Sequence, residues 1–229
     1  MLASSSAIIN QNFIMKKIIF TALAVAASGM AGAQEIKFGV KGGVGASTFS
    51  GNVEDAEAKF AGHIGGFAEF KFKKFAIQPE ILLSYVGAEW NYNYRSNNDW
   101  YYDGPIDNIQ YQANLLYLHI PVMAKYYVIE PLSVEFGPQI GVLLDAETKY
   151  TTTYWNGSDR SETEDVKDDL KTIDVGLNLG ATYNFKNKMF VTGRYTLGLT
   201  DIDDTTPEPG ERSENIKNQV FQVSVGYKF

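Results

Sequence analysis

The sequence has 229 residues, a formal charge of −7 at neutral pH and no cysteine. The acidic balance argues against nucleic-acid binding, and the lack of cysteine fits a chain that crosses an oxidising compartment. Beyond the N-terminal region no stretch approaches a transmembrane helix. That does not exclude a membrane protein, because barrel strands carry their apolar half in alternation.

The N-terminal region reads as a secretory leader. Lys16 and Lys17 form a basic region, Ile18 to Ala27 an apolar region, and Ala31-Gly32-Ala33 a small-residue cleavage site. The apolar region is about ten residues, and a spanning helix needs roughly 20. Residues 1–14 precede a better start at Met15, so residues 1–33 are expected to be a leader with an over-extended start. Residues 34–229 then form the mature domain, more acidic for the loss of both lysines.

From Ile36 onward the pattern is apolar–polar alternation, which puts one greasy and one wet face on each strand. The first strand places Ile36, Phe38, Val40 and Val44 on one face. A polar loop at about 50–59 leads to a Gly-rich second strand, about Gly62 to Phe72. After a Lys73-Lys74 turn, the third sets Ile77, Pro79, Ile81, Leu83 and Tyr85 against Gln78, Glu80 and Ser84. A long loop covers about 89–108. The fourth strand, ending at Tyr127, points Leu118, Ile120, Val122 and Tyr126 outward, with Tyr117, His119, Met123 and Lys125 inward. Beyond Ile129-Glu130-Pro131 the fifth alternates Val134, Phe136 and Ile140 with Ser133, Glu135 and Gln139.

The third long loop, about 147–169, carries six acidic residues between Asp159 and Asp169. The sixth strand alternates Ile173, Val175, Leu177, Leu179, Ala181, Tyr183 and Phe185 with polar or small residues. A short Lys186-Asn187-Lys188 turn opens the seventh, and a fourth polar loop, about 201–215, leads to the eighth. There Phe221, Val223, Val225, Tyr227 and Phe229 alternate with Gln222, Ser224, Gly226 and Lys228.

Eight strands joined alternately by short and long connections predict an all-β, eight-stranded antiparallel up-and-down transmembrane β-barrel. Both termini fall on the short-turn side, periplasmic in bacterial outer-membrane barrels, with the long loops outside. Phe38, Phe72, Phe75, Tyr126, Tyr183, Phe185, Tyr227 and Phe229 gather at that end as a headgroup-level girdle. Tyr227 and the terminal Phe229 read as the assembly signal addressed to the barrel-assembly machinery. The alternative, a soluble sandwich or lipocalin-like barrel, buries its apolar face instead. Pro79, Pro121 and Pro138 donate no ladder hydrogen bond and are expected to mark bulges or kinks.

Several segments carry a resemblance. They are Phe38-Gly-Val-Lys-Gly-Gly, Ile77-Gln-Pro-Glu-Ile-Leu-Leu-Ser-Tyr, Tyr117-Leu-His-Ile-Pro-Val-Met-Ala-Lys-Tyr, Phe136-Gly-Pro-Gln-Ile-Gly and the terminal Phe229. Together they resemble the PorT-like outer membrane protein beta-barrel domain of Bacteroidetes-type bacteria, with the small-barrel architecture of OmpX and OmpA. The resemblance implies the same barrel, makes the three prolines pattern residues, and gives little function beyond an accessory part in secretion. His119 stands where that family often has an acidic residue, and Val86-Gly87 where it has Lys-Gly.

Inside such a barrel the sequence places Lys41, Glu69, Lys71, Glu80, Lys125, Glu135, Asp174, Arg194 and Lys228. Charges of both signs are expected to pair and plug a lumen of this size; a narrow channel is the other reading. A Ser84–His119–Glu80 set can be drawn, but no motif supports it, so no catalysis, cofactor or metal is expected. Loop two holds Trp90, Tyr92, Tyr94, Trp100, Tyr101 and Tyr102, which suit a glycan or protein partner or an outer girdle. The acidic loops have carboxylates for Ca²⁺ or Mg²⁺ shared with lipopolysaccharide phosphates. They lack metal-loop spacing and read as solvated. The expected partners are outer-membrane lipid and lipopolysaccharide, the assembly machinery, and an extracellular or envelope protein or glycan.

Overall fold

The computed structural model describes residues 35–53, 55–93, 100–101, 104–154, 156–205 and 215–229. The expected leader, Tyr94 and Tyr102 lie outside these. Ten strands follow in chain order: β1 (Glu35–Gly51), β2 (Glu57–Phe72), β3 (Phe75–Asn93), β4 (Trp100–Tyr101), β5 (Gly104–Ile129), β6 (Leu132–Tyr154), β7 (Asp159–Asp165), β8 (Ile173–Asn184), β9 (Met189–Gly198) and β10 (Ile216–Lys228). The hydrogen-bonded order β5-β3-β2-β1-β10-β9-β8-β6, with β6 returning to β5, makes a ring of eight antiparallel strands. Ring closure satisfies every strand's backbone through a neighbour, which a hydrocarbon environment requires.

Alternation decides which face meets what. On β10, Phe221, Val223, Val225 and Tyr227 are exposed while Gln222, Ser224 and Lys228 are buried. Ile64, Ile81, Phe136 and Leu179 are likewise exposed on their strands. Apolar outside and polar inside is the inverse of a soluble barrel, so the lipocalin-like alternative falls. At the short-turn end Phe75 meets Tyr126 at 5.1 Å, Tyr183 meets Phe185 at 5.1 Å and Tyr227 meets Phe229 at 5.7 Å between ring centroids. These pairs form an outward-facing aromatic band there.

The prolines behave differently from the expectation. The ladder lapses on one side of each, between β2 and β3 at Pro79, β3 and β5 at Pro121, and β5 and β6 at Pro138. It then resumes in the same register, so no bulge forms there. The register shifts lie elsewhere, including Ala58/Gly62 and Leu116/Tyr117.

The strands also run further than alternation in the ring requires. β5 has 26 residues and β6 has 23. Their upper halves pair with β3 and with the short β7, raising a sheet above the ring on one side. Much of the expected loops two and three is therefore strand.

A charge-paired lumen under an apolar cap

Inward residues fill the ring in layers. Near the short-turn mouth a vestibule of about 480 Å³ is bordered by Lys37, Lys71, Glu130 and Lys186. Inside it, Phe67 and Phe190 meet edge-on with centroids 5.4 Å apart. Gly39 and Gly226 face these rings, and a Cβ at either position would collide with them. Small residues here make room for large ones.

Next comes a continuous set of ion pairs. Lys41 Nζ lies 2.6 Å from Glu80 Oε2. Arg194 donates from Nη1 and Nη2 to the two oxygens of Glu80, both at 2.9 Å. It also donates from Nε to Glu135 Oε1 at 2.8 Å and from Nη2 at 2.6 Å. Lys125 Nζ sits 3.4 Å from Glu135 and 3.6 Å from Glu69, which accepts from Lys228 at 2.9 Å. Gln78 donates to Glu80 at 2.7 Å and accepts from Lys125 at 3.1 Å. The eighth strand of the ring, β8, joins through Thr182, which donates to Glu135 at 3.0 Å.

Four cations and three carboxylates thus alternate across the lumen, contributed by seven strands. Isolated, any of these charges would be costly to bury. Alternation, bidentate geometry and neutral donors filling the remaining lone pairs offset that cost. The motif residues Gln78, Glu80 and Lys125 belong to this layer.

Seven of the nine charges expected inside meet in the network. Lys71 and Asp174 do not. Lys71 stands half-buried at the vestibule with its Nζ 4.2 Å from the centre of the Tyr127 ring. Asp174 lies towards the other end, accepting from Asn218 at 2.9 Å and from Thr200 at 2.7 Å. Its partners are neutral because no network cation reaches that height.

In the layer above the ion pairs the polar side chains, Asp174 apart, are neutral. His63 Nε2 is 2.9 Å from Ser224 Oγ, the His119 ring stacks on Tyr117 at 5.1 Å, and Asn178 bridges Gln139 and Thr196. A cavity of about 10 Å³ between them has room for roughly one water. The Ser84–His119–Glu80 set does not assemble, since Glu80 is committed to Lys41 and Arg194.

The last layer has no counterpart in the sequence-based expectation. Phe49, Val86, Ala88, Leu115, Leu143 and Ile202 pack into an apolar core at the long-loop mouth, with Val166 and Leu170 against it. Leu170 and Ile202 come from the two acidic loops. The signal available was three apolar residues within otherwise charged runs.

A clasp holds these loops down. Asp201 Oδ1 accepts from the backbone N–H of Ile216 at 2.9 Å and of Asp203 at 3.2 Å, and Lys171 Nζ lies 3.3 Å from Oδ2. Partial burial would raise this carboxyl, but the two N–H groups and the Lys171 ammonium outweigh it and hold it below the usual Asp range. Among the described residues no group of three or more His, Asp or Glu is arranged to hold a metal.

Of the expected loop-two residues, Trp90 and Tyr92 lie on β3 and face the inner side of the raised sheet. Trp100 and Tyr101 form the backbone of β4, opposite Pro105 and Gly104. Of the residues expected to form an assembly signal, Phe229 donates its N–H to the carbonyl of Phe38 at 2.9 Å, tying it to the first strand.

A closed ring of antiparallel strands with an apolar exterior, an aromatic band and a charge-paired interior defines an integral outer-membrane β-barrel. The model of the outer membrane protein beta-barrel domain family matches residues 32–204, and the chain belongs to that family. Its place is the bacterial outer membrane. Among solved structures it is similar to the attachment invasion locus protein Ail of Yersinia pestis, at 10% identity over 86% of this chain and 100% of that one, with a TM-score of 0.44. Neisserial surface protein A is similar at 12% identity over the same shares, with a TM-score of 0.44. The outer membrane protease OmpT of Escherichia coli follows at 10% identity over 84% and 97%, with a TM-score of 0.34. No curated protein matches the sequence.

Proposed function

We propose that this is a closed, non-enzymatic barrel that works through its long-loop end, as a structural or partner-binding protein of the envelope. In this reading the short-turn end and both termini face the periplasm and the long loops face outward. The observation that carries it is the occupation of the lumen by two unlike layers. Ion-paired Arg194, Glu80 and Glu135 are buried in one, and Phe49, Leu115 and Ile202 in the other. An ion crossing the first would have to displace paired charges, and the second, lined mainly by apolar side chains, offers it little polar compensation.

The test is single-channel recording of the refolded chain in a planar bilayer, with heat-modifiable gel migration verifying the fold. Silence from folded protein is expected. Discrete, reproducible conductance steps would replace this reading with a small-solute channel.

A further inference from the structure

The raised sheet has two faces of different chemistry, and the register of four strands sets them. Trp90 pairs with Tyr111, Tyr111 with Tyr150, and Tyr150 with Glu162. Directly opposed residues of antiparallel strands share a face, so this row runs from ring to ring to carboxylate along one side. The row below ends in the same way, with Thr148 opposite Glu164. Tyr111 meets Tyr150 edge-on at 4.9 Å and Tyr92 at 5.7 Å. A hollow of about 340 Å³ lies over Trp90, Tyr92, Tyr111 and Thr148.

This is the inward side. Trp90 packs on the apolar core, 6.0 Å from Phe49 between ring centres. The platform therefore continues the cap of the lumen and is backed by packed apolar side chains. The other face of the same strands is ordinary and polar, with Glu89, Gln112 and Lys149 opposed in turn.

We infer that this platform binds a cationic, extended polypeptide segment, its lysine or arginine side chains lying on Tyr111 and Tyr150 and reaching the carboxylates of Glu162 and Glu164. Two features select that chemistry. Ring faces attract ammonium and guanidinium groups, and β7, which borders the platform, presents the carboxylates of Glu162 and Glu164 on this face against the single guanidinium of Arg160. That guanidinium shows the mode of binding. Arg160 holds Glu162 at 2.9 Å with both side chains mostly exposed, a weak pair that an incoming cation can exchange for. A neutral sugar could stack on the rings and donate hydroxyls to the carboxylates but would leave their charge uncompensated; an acidic segment would be repelled.

The inference rests on the long-loop end being the working face, and its test is independent of conductance. Hexa-arginine is titrated into the refolded full chain in nanodiscs of neutral lipid, with tryptophan fluorescence and calorimetry as readouts. Saturable binding is expected, weakened about tenfold in Glu162→Gln/Glu164→Gln and about fivefold in Tyr150→Leu, with Tyr150→Phe like the parent. Heat-modifiable migration verifies each variant, and Tyr150→Phe keeps the comparison meaningful if the leucine variant folds poorly. Binding that Tyr150→Leu leaves unchanged would reduce the effect to diffuse loop charge and overturn the platform. So would absent binding, or equal binding of a neutral hexasaccharide. A conducting barrel that still binds hexa-arginine would sink the closed-barrel reading and leave the platform standing.

Discussion

Arg194 and Glu80 lie 114 positions apart in the chain and meet across the lumen through two parallel hydrogen bonds of 2.9 Å. β9 and β3 stand on opposite sides of the ring, so this pair acts as a strut across its diameter. The same guanidinium holds Glu135, which makes Arg194 the hub of the network.

Replacing the hub tests the cost of that arrangement. Arg194→Met leaves Glu80 and Glu135 with fewer cations in a buried site, and a loss of about 3–5 kcal/mol is expected. Arg194→Lys keeps the charge but cannot fork to both carboxylates, so it should lie between. Urea unfolding in lipid vesicles, followed by tryptophan fluorescence, measures both.

Outward positions should respond by depth. Leu179 is exposed in the middle of β8, whereas Phe185 is exposed at the short-turn end. Leu179→Arg is expected to cost about 2–4 kcal/mol, and Phe185→Arg about 0–1. Equal costs, measured by the same unfolding, would contradict the placement of the aromatic band at the headgroups.

The loop clasp should be acid-sensitive. Asp201 has a folded pKa below its unfolded value, so its stabilisation is present above the ordinary Asp range and disappears as pH falls through the folded value. The segment at 199–205 should therefore gain amide exchange as pH is lowered below about 4, after correction for intrinsic rates. Asp201→Asn should show raised exchange already at neutral pH. An acid response unchanged in that variant would place the sensor elsewhere.

Ile202 tests the apolar cap. Its side chain is fully buried although its neighbours in sequence are acidic. Ile202→Ala should cost about 2–5 kcal/mol locally, read as faster protease cleavage in loops three and four with the ring intact by gel migration. Resistance equal to the parent would show that the cap contributes nothing to loop order.

The sequence made the ring legible because its two solvents differ. Phe221 to Phe229 must satisfy lipid on one side and a packed polar lumen on the other, and only strict alternation does both. The interior charges were legible for the same reason, though their partners were not. Pairing of Lys125 with Glu69 and Glu135 depends on which strands face each other and at what height, and periodicity carries no height. Asp174 and Lys71 show the consequence, inward residues that miss the network by depth. The raised sheet was hidden because above the membrane the exterior no longer needs to be apolar. There Thr151 to Thr153 and Asp159 to Asp165 look like loop. The cap was hidden because Leu170 and Ile202 are single apolar residues with no periodic neighbours.

The span of the ion pairs has a kinetic consequence. Lys228 and Glu69 are 159 positions apart and Arg194 and Glu80 114, so until the last two strands arrive the carboxylates of the first half hold only part of their cation complement. A sheet lacking those strands would hold incompletely paired carboxylates near hydrocarbon, which disfavours it. The network therefore favours closure: the last two strands bring the cations that complete the pairing of Glu80, Glu135 and Glu69.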